Sequence, residues 1–321
     1  MGLEVAKKLA SKGANVIIVA RDTTKLEAAK KQVTAAARDS SKQRITWISA
    51  DLTKLEENVR MLQEATEWNE GRLPDVAWQM AGSSRPDLFL DTSPEVLRQQ
   101  MDTNYWSACY LAHTVLKAWT EEKQVNSDGK TALKVPEPLP RHLIFTTSVA
   151  AFLGIAGYNP YTPAKAAIRA LADGLKQEME LYNGARYHGI PKGSVPSQPE
   201  IKISIIAPGN ILSPGFEEEQ KTKHPITKML EEGDPNQSSE EVADISIKSL
   251  EAGNYLTTLA FLGHVMRSLS LNGSPRNGLL GLRDVLLGAV SNIAILFIGP
   301  DMEKKVRNFG KEHGVQHRQP Q

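Results

Sequence analysis

Cysteine is almost absent from this 321-residue chain, where Cys109 stands alone. A single thiol cannot close an intrachain disulfide, so the fold must hold by packing, and a reducing, cytosol-facing setting suits it. A surplus of one charge sign is missing as well. Thirty-eight basic residues meet 37 acidic ones, for a net charge of +1, which leaves no electrostatic footprint for nucleic acid. The seven histidines are scattered without zinc-ligand spacing, and no metal site is expected. An apolar leader is lacking too: Glu4, Lys7 and Lys8 interrupt any hydrophobic run near Met1, so no signal peptide is expected. Long hydrophobic runs are few. Val285–Ile298 carries no charge but falls short of the ~20 residues that span a bilayer as a helix. What remains is ordinary globular composition, 40% hydrophobic and 23% charged, with length for one large α/β domain plus an extension.

Apolar patterning alternates between helix and strand. Gly2 to Gly13 reads as a helix with Leu3, Val5, Ala6, Leu9 and Ala10 on one stripe. Asn15–Ala20, Arg44–Ala50, Asp75–Gly82, Arg141–Thr147 and Ile201–Ala207 read as strands. Helices are expected after Arg21, up to Glu64, over Pro94–Trp119, over Tyr161–Tyr182 and from Ser239. The alternation predicts an α/β fold with a doubly wound parallel sheet, whose ligands bind at the carboxyl ends of the strands. Arg21, Asp51, Gly82, Ser148 and Pro208-Gly209 all fall at such ends. Glu121–Pro140 and Asn183–Pro199 are polar, rich in Pro, Gly or Ser, and read as surface loops.

The chemistry concentrates between Ser148 and Lys165. A hydroxyl sits at the end of a buried strand, and a phenol and an ammonium follow four residues apart, Tyr161 and Lys165, on one face of a helix. A free phenol ionises near pH ~10, and a neighbouring ammonium favours the phenolate and lowers that value. Tyr161 would then exchange a proton with a carbonyl or alcohol near neutral pH, with Ser148 holding the same oxygen. Proton donation to a carbonyl calls for a hydride donor, hence a nicotinamide cofactor. The Tyr-x-x-x-Lys pair alone is also what a surface tyrosine near a surface lysine looks like.

Ala81-Gly82, Asn104 inside a helix, Ser148, Tyr161-x-x-x-Lys165 and Pro208-Gly209 occur in that order, and over residues 2 to 250 the chain resembles the short-chain dehydrogenase/reductases. The resemblance implies a Rossmann-type sheet and a catalytic set of Ser148, Tyr161, Lys165 and Asn104. Tyr161 would be the acid in the reducing direction, Lys165 would bind the nicotinamide ribose, and Asn104 would hold a proton-relaying water. It also assigns Gly2, Ala81, Gly82, Pro208, Gly209 and Ser213 to the cofactor cradle, with Asp51 and Leu52 at the adenine, although Asp51 also suits a helix N-cap. Where an acidic residue would select NAD, the chain has Ala20-Arg21, with Lys25 one turn on, which favours the 2′-phosphate of NADP(H) over a purely solvated arginine. The family opens with a strand and a Gly-x-x-x-Gly-x-Gly turn, of which only Gly2 has a counterpart here. A sheet lacking its first strand is therefore expected, from a shortened chain or from a short form that binds cofactor weakly; the intact remainder favours shortening.

The tail narrows the resemblance. Ser274–Asn277 reads Ser-Pro-Arg-Asn, and the apolar extension ends in Lys304, Lys305 and Arg307. With Arg21 and Lys25 these resemble the branch that reduces long-chain sphingoid-base ketones at the endoplasmic reticulum membrane, its catalytic domain facing the cytosol. The expected division is a catalytic domain over 1–254, an apolar membrane-associating extension over 255–300 and a polar tail over 301–321. The extension reads as lying on or dipping into a membrane surface rather than cleanly spanning it, or else as a buried core or dimer helix, and a homo-oligomer stays open. Another lipid, steroid or retinal reductase, or a catalytically impaired membrane scaffold, are the competing readings.

Overall fold

The computed structural model describes residues 1–121, 138–189, 191, 195–271, 273–278 and 281–315. The core of the expected first loop, residues 122–137, lies outside the described residues, as do 190 and 192–194 of the second. The N-terminal third is helix α1 (Gly2–Ser11), strand β1 (Val16–Ala20), helix α2 (Thr23–Ala35), strand β2 (Ile45–Ser49) and helix α3 (Leu55–Trp68). Asp22 starts α2 by accepting the amide of Lys25, which satisfies one of the free donors of a first turn. The middle comprises β3 (Val76–Gln79), α4 (Pro94–Met101), α5 (Ser107–Glu121), β4 (Arg141–Thr146), α6 (Thr162–Ala185) and β5 (Ile201–Ala207). The C-terminal part contains β6 (Asn210–Leu212), α7 (Pro214–Thr222), α8 (Pro225–Leu230), β7 (Asn236–Ser238), α9 (Ser239–Glu251), β8 (Leu256–Thr258), α10 (Phe261–Leu269) and α11 (Leu282–His313).

All strand pairs are parallel. One sheet runs β3-β4-β5-β8 and a second pairs β1 with β2. In the register of the larger sheet, Leu143 faces Ile203 and Phe145 faces Ile205. Leu143, Phe145, Ile205 and Leu256 are wholly buried, as continuous apolar strands covered on both faces must be. Among the described residues no strand joins β1 to β3, so the break falls where the sequence has no opening strand. Helix α1 holds the two pieces together. Its Ala6 and Ala10 pack with Val16 and Val33, while Met1 packs beside Ile144 and Ile206. Lys8 and Lys12 pair with Asp244 (2.8 Å) and Glu251 (2.7 Å) of α9.

One expectation needs correction. The single helix over Pro94–Trp119 is interrupted by a π turn at Asp102–Trp106, where the Ser107 amide closes back onto the Asp102 carbonyl. β8 lies beyond 254 yet completes the sheet through Leu256–Ile205 pairing, and α11 runs unbroken through 300. The Ser274–Asn277 segment holds β8 in place. Asn277 accepts the amides of Tyr255 (2.9 Å) and Leu256 (3.1 Å), and Ser274 accepts Arg169 of α6 (2.8 Å), so the chain after α10 clasps the edge strand.

Candidate active site

Local bonds at the end of strand β4 anchor the segment that carries Ser148. Thr147 Oγ1 donates to the Lys165 carbonyl (2.7 Å), and the Val149 amide donates to the Pro208 carbonyl (2.9 Å). The end of β4 is thereby stitched to α6 on one side and to the β5–β6 link on the other. Between these stitches Ser148 is extended and caps a 3₁₀ turn at Val149–Ala151, accepting the Ala150 amide (3.2 Å). Tyr161 is the N-cap residue of α6 and Lys165 lies one turn on, with its amide bonded to the Tyr161 carbonyl (3.3 Å). Ser148, Tyr161 and Lys165 line one cavity of about 510 Å³, within the usual range for a small-molecule site.

Lys165 is 4% exposed, an unusual place for an ammonium. Its Nζ donates to the Thr146 carbonyl (3.1 Å) and stands 5.6 Å from the centre of the Tyr161 ring. Burial lowers its pKa from 10.5 to about 8, so it remains mostly charged at neutral pH. The expectation that this cation lowers the phenol is reversed. Tyr161 is pushed above its ordinary value, first by burial and second by the negative charge of Glu219, with a Ser148 hydrogen bond acting the other way. Burial of the phenol sets the direction of the shift. The phenol therefore keeps its proton at neutral pH, the state an acid needs before it donates.

Asn104 sits in the π turn, fully buried. Its Nδ2 donates to the carbonyls of Ser83 and Gln100 (both 2.9 Å), and its Oδ1 accepts the Ser83 amide (3.2 Å). These bonds fix the loop after β3. A Cβ on Gly82 would meet Asn104 Oδ1 at 2.7 Å and Lys165 Nζ at 3.1 Å, so any larger residue forces one of these side chains to move. π turns inside helices are frequent at functional sites, and this one aims a side chain at the loop.

Several expected cradle residues come together. Gly2, Gly82, Pro208, Gly209 and Ser213 line the same cavity, Ser213 as the N-cap of α7 accepting the Phe216 amide (3.2 Å). Ala81 is adjacent, its carbonyl taking the Gln79 amide group (2.5 Å). Arg21, Lys25, Asp51 and Leu52 do not line it. They lie at or just past the ends of β1 and β2. Arg21 and Lys25 are exposed, and Lys25 pairs loosely with Asp22 (3.7 Å). Asp51 binds Thr53 (2.8 Å), which with the Arg21 charge keeps its carboxyl below the ordinary value. The residues present fit a nicotinamide nucleotide. Lys165 spends one of three N–H donors on protein, Gly82 leaves room above it, and the first turn of α1 opens on the cavity at Gly2.

Sequence reasoning missed the wall opposite Ser148. Tyr158 is buried, its ring 6.1 Å from that of Tyr161, and its hydroxyl donates to Glu219 (2.6 Å). The Lys223 ammonium is enclosed between Glu219 (2.9 Å) and Glu231 (2.5 Å). Gly157 docks this segment against α8: at φ +92° it brings its backbone so close that a Cβ would lie 1.9 Å from Thr227 Oγ1, which bonds the Ala156 carbonyl (2.8 Å). Sequence reasoning gives the region after Pro208-Gly209 only as a polar stretch that covers substrate in the family the chain resembles, with no role for these side chains.

Residues 1–204 match the family described as enoyl-(acyl carrier protein) reductase. The chain is 47% identical over 98% of its length to a 3-ketodihydrosphingosine reductase of Aspergillus fumigatus, covering 83% of that protein. A Neurospora crassa protein of the same name is 39% identical over 98% of the chain and covered over 80% of its own length. The fold is similar to that of levodione reductase, with a TM-score of 0.61 over 80% of this chain and 89% of that one, at 20% identity. With the Ser-Tyr-Lys geometry and the parallel sheet, these likenesses make the chain a member of the short-chain dehydrogenase/reductase family of oxidoreductases.

Proposed function

We propose that this protein reduces 3-ketodihydrosphingosine to dihydrosphingosine with NADPH, at the endoplasmic reticulum membrane and from its cytosolic side. The observation that carries the reaction type is the meeting of Ser148, Tyr161 and Lys165 in one cavity. The names of the relatives supply the substrate. A reduced nicotinamide bound at Gly82 and Lys165 supplies hydride chemistry. Ser148 and Tyr161 hold the ketone oxygen by hydrogen bonds, and the protonated Tyr161 hands its proton to that oxygen. Lys165 would have N–H donors left for the hydroxyls of a bound cofactor, and its charge, close to the ring, eases the negative charge left on the phenol. Arg21, just past the end of β1, and Lys25, in the first turn of α2, are both exposed and supply the positive charge for a 2′-phosphate.

Helix α11 supports the membrane part of this reading. It is long and apolar enough to cross a bilayer, with mean hydropathy 1.7 over its best window and 11% of that window buried. Its amphipathicity is inverted. Leu286, Val290, Ile293 and Phe297 share one face and are exposed, whereas Asp284, Gly288 and Ser291 face the body and are buried. Both ends return to the protein. Asp284 pairs with Arg267 of α10, and beyond the other end the Val315 carbonyl lies 3.0 Å from the His224 ring, which also meets Phe309. A helix tied at both ends to one body lies in a membrane surface rather than across it.

The test is NADPH consumption by the purified chain with 3-ketodihydrosphingosine in mixed micelles. Turnover is expected, and Tyr161→Phe should reduce it by roughly 100- to 10,000-fold while NADPH still binds. Failure to reduce the long-chain base, with other ketones reduced, would remove the substrate; full activity of the Phe variant would remove Tyr161 as the acid.

A further inference from the structure

The wall of the cavity formed by α7, α8 and the turn after α8 holds more negative charge than the protein neutralises. Glu219, Glu231 and Asp234 all line the cavity that contains Ser148 and Tyr161. The buried Lys223 ammonium is shared between Glu219 (2.9 Å) and Glu231 (2.5 Å) and sits over the rings of Tyr158 (5.3 Å) and Phe216 (5.5 Å). Asp234 is half-buried, and among the described residues its carboxylate has neither a hydrogen bond nor an ion pair. Three carboxylates therefore surround one lysine. Such a surplus in a partly buried place is relieved by a further cation or by proton uptake on a carboxylate. The pKa of Asp234 is accordingly raised, by burial first and by the Glu231 charge second.

The cluster shares a cavity with Ser148 and Tyr161. Glu219 holds the hydroxyl of Tyr158, whose ring is 6.1 Å from that of Tyr161, and its charge is felt at the Tyr161 phenol. A ligand whose ketone oxygen lies between Ser148 and Tyr161 occupies the same cavity as this wall. The ketone assigned under the proposed function carries a primary ammonium on the carbon next to its carbonyl. We propose that Asp234, with Glu219 and Glu231 held in place by Lys223, receives that ammonium and so selects a 2-amino ketone over a neutral long-chain ketone. The idea rests on the reductase reading and adds the feature by which the site tells its substrate apart. Asp234 is the principal contact because the other two carboxylates already share a lysine.

The experiment compares two ketones with the full chain and NADPH in micelles: 3-ketodihydrosphingosine and the same chain lacking the amino group, 1-hydroxyoctadecan-3-one. Wild type is expected to favour the amino ketone. Asp234→Asn should raise KM for the amino ketone about tenfold, an effect worth about 1.4 kcal/mol, while kcat and KM for the neutral ketone change less than about twofold. Glu231→Gln, which removes one negative charge from the cluster, should move the same ratio in the same direction and carries the test if the first variant fails to fold. Equal KM changes for both ketones, or none for either, would overturn the inference. So would a wild-type preference for the neutral ketone, with the reductase reading left standing. Turnover of neither ketone would refute the reductase reading itself, and this inference with it.

Discussion

Replacing Lys165 with methionine should make the protein inactive and more stable. Methionine matches the aliphatic length of the side chain but carries no charge. The fall of the Lys165 pKa from 10.5 to about 8 measures how much the folded state disfavours the ammonium. At about 1.4 kcal/mol for each step on the pH scale, this is roughly 3 kcal/mol at neutral pH. Losing the bond to the Thr146 carbonyl (3.1 Å) gives back about 1 kcal/mol. A net gain of about 2 kcal/mol at pH 7 is expected. The pH dependence makes the reasoning specific. The folded pKa lies below the unfolded one, so between about pH 8 and 10.5 the unfolded chain binds the extra proton, and wild-type stability rises with pH across that window. The variant lacks this contribution, so its advantage should shrink by about 3 kcal/mol on going from pH 7 to above 10.5, and invert. Urea denaturation of both proteins at steps of pH, without cofactor, measures this. A variant less stable at pH 7, or a difference that does not change with pH, would show that the ammonium is not held at a cost and that its pKa is ordinary.

Three further outcomes are expected. Gly82→Ala should lower NADPH affinity and kcat by about tenfold or more, because the new Cβ would stand 2.7 Å from Asn104 Oδ1 and 3.1 Å from Lys165 Nζ; unchanged kinetics and cofactor titration would show that the loop yields. Arg21→Ala should weaken NADPH by at least about tenfold more than NADH, as loss of a charge-assisted bond to phosphate does, and equal losses would remove 2′-phosphate recognition. Changing Leu286, Val290 and Phe297 of α11 together to aspartate should release the protein from anionic vesicles in a flotation assay while leaving its circular dichroism unchanged. Continued flotation would place the membrane contact elsewhere.

The order of the elements was readable from sequence because it depends on local period. β-branched runs such as Val16–Ala20 and Ile201–Ala207 are strands wherever they are buried, and the alanine-rich run after Lys165 is a helix on its own propensity. The Ser148, Tyr161 and Lys165 set was readable for a similar reason, since its spacing is set by one strand end and one helical turn. Sequence could not give the direction of the Tyr161 pKa, which depends on how far the phenol is buried and on Glu219, 58 residues away. Nor could it give the π turn at Asn104, which a helical pattern does not reveal, or the extent of the sheet past residue 254, which depends on Asn277 clasping β8. The acidic wall is tertiary for the same reason. Glu219, Glu231 and Asp234 stand in a polar stretch that looks solvated in one dimension, and only the docking of α7 and α8 over Tyr158 removes them from bulk water and turns ordinary surface charges into part of the cavity. Period and propensity fix which segments are helix or strand; charge, burial and distance between remote segments exist only once the chain is closed.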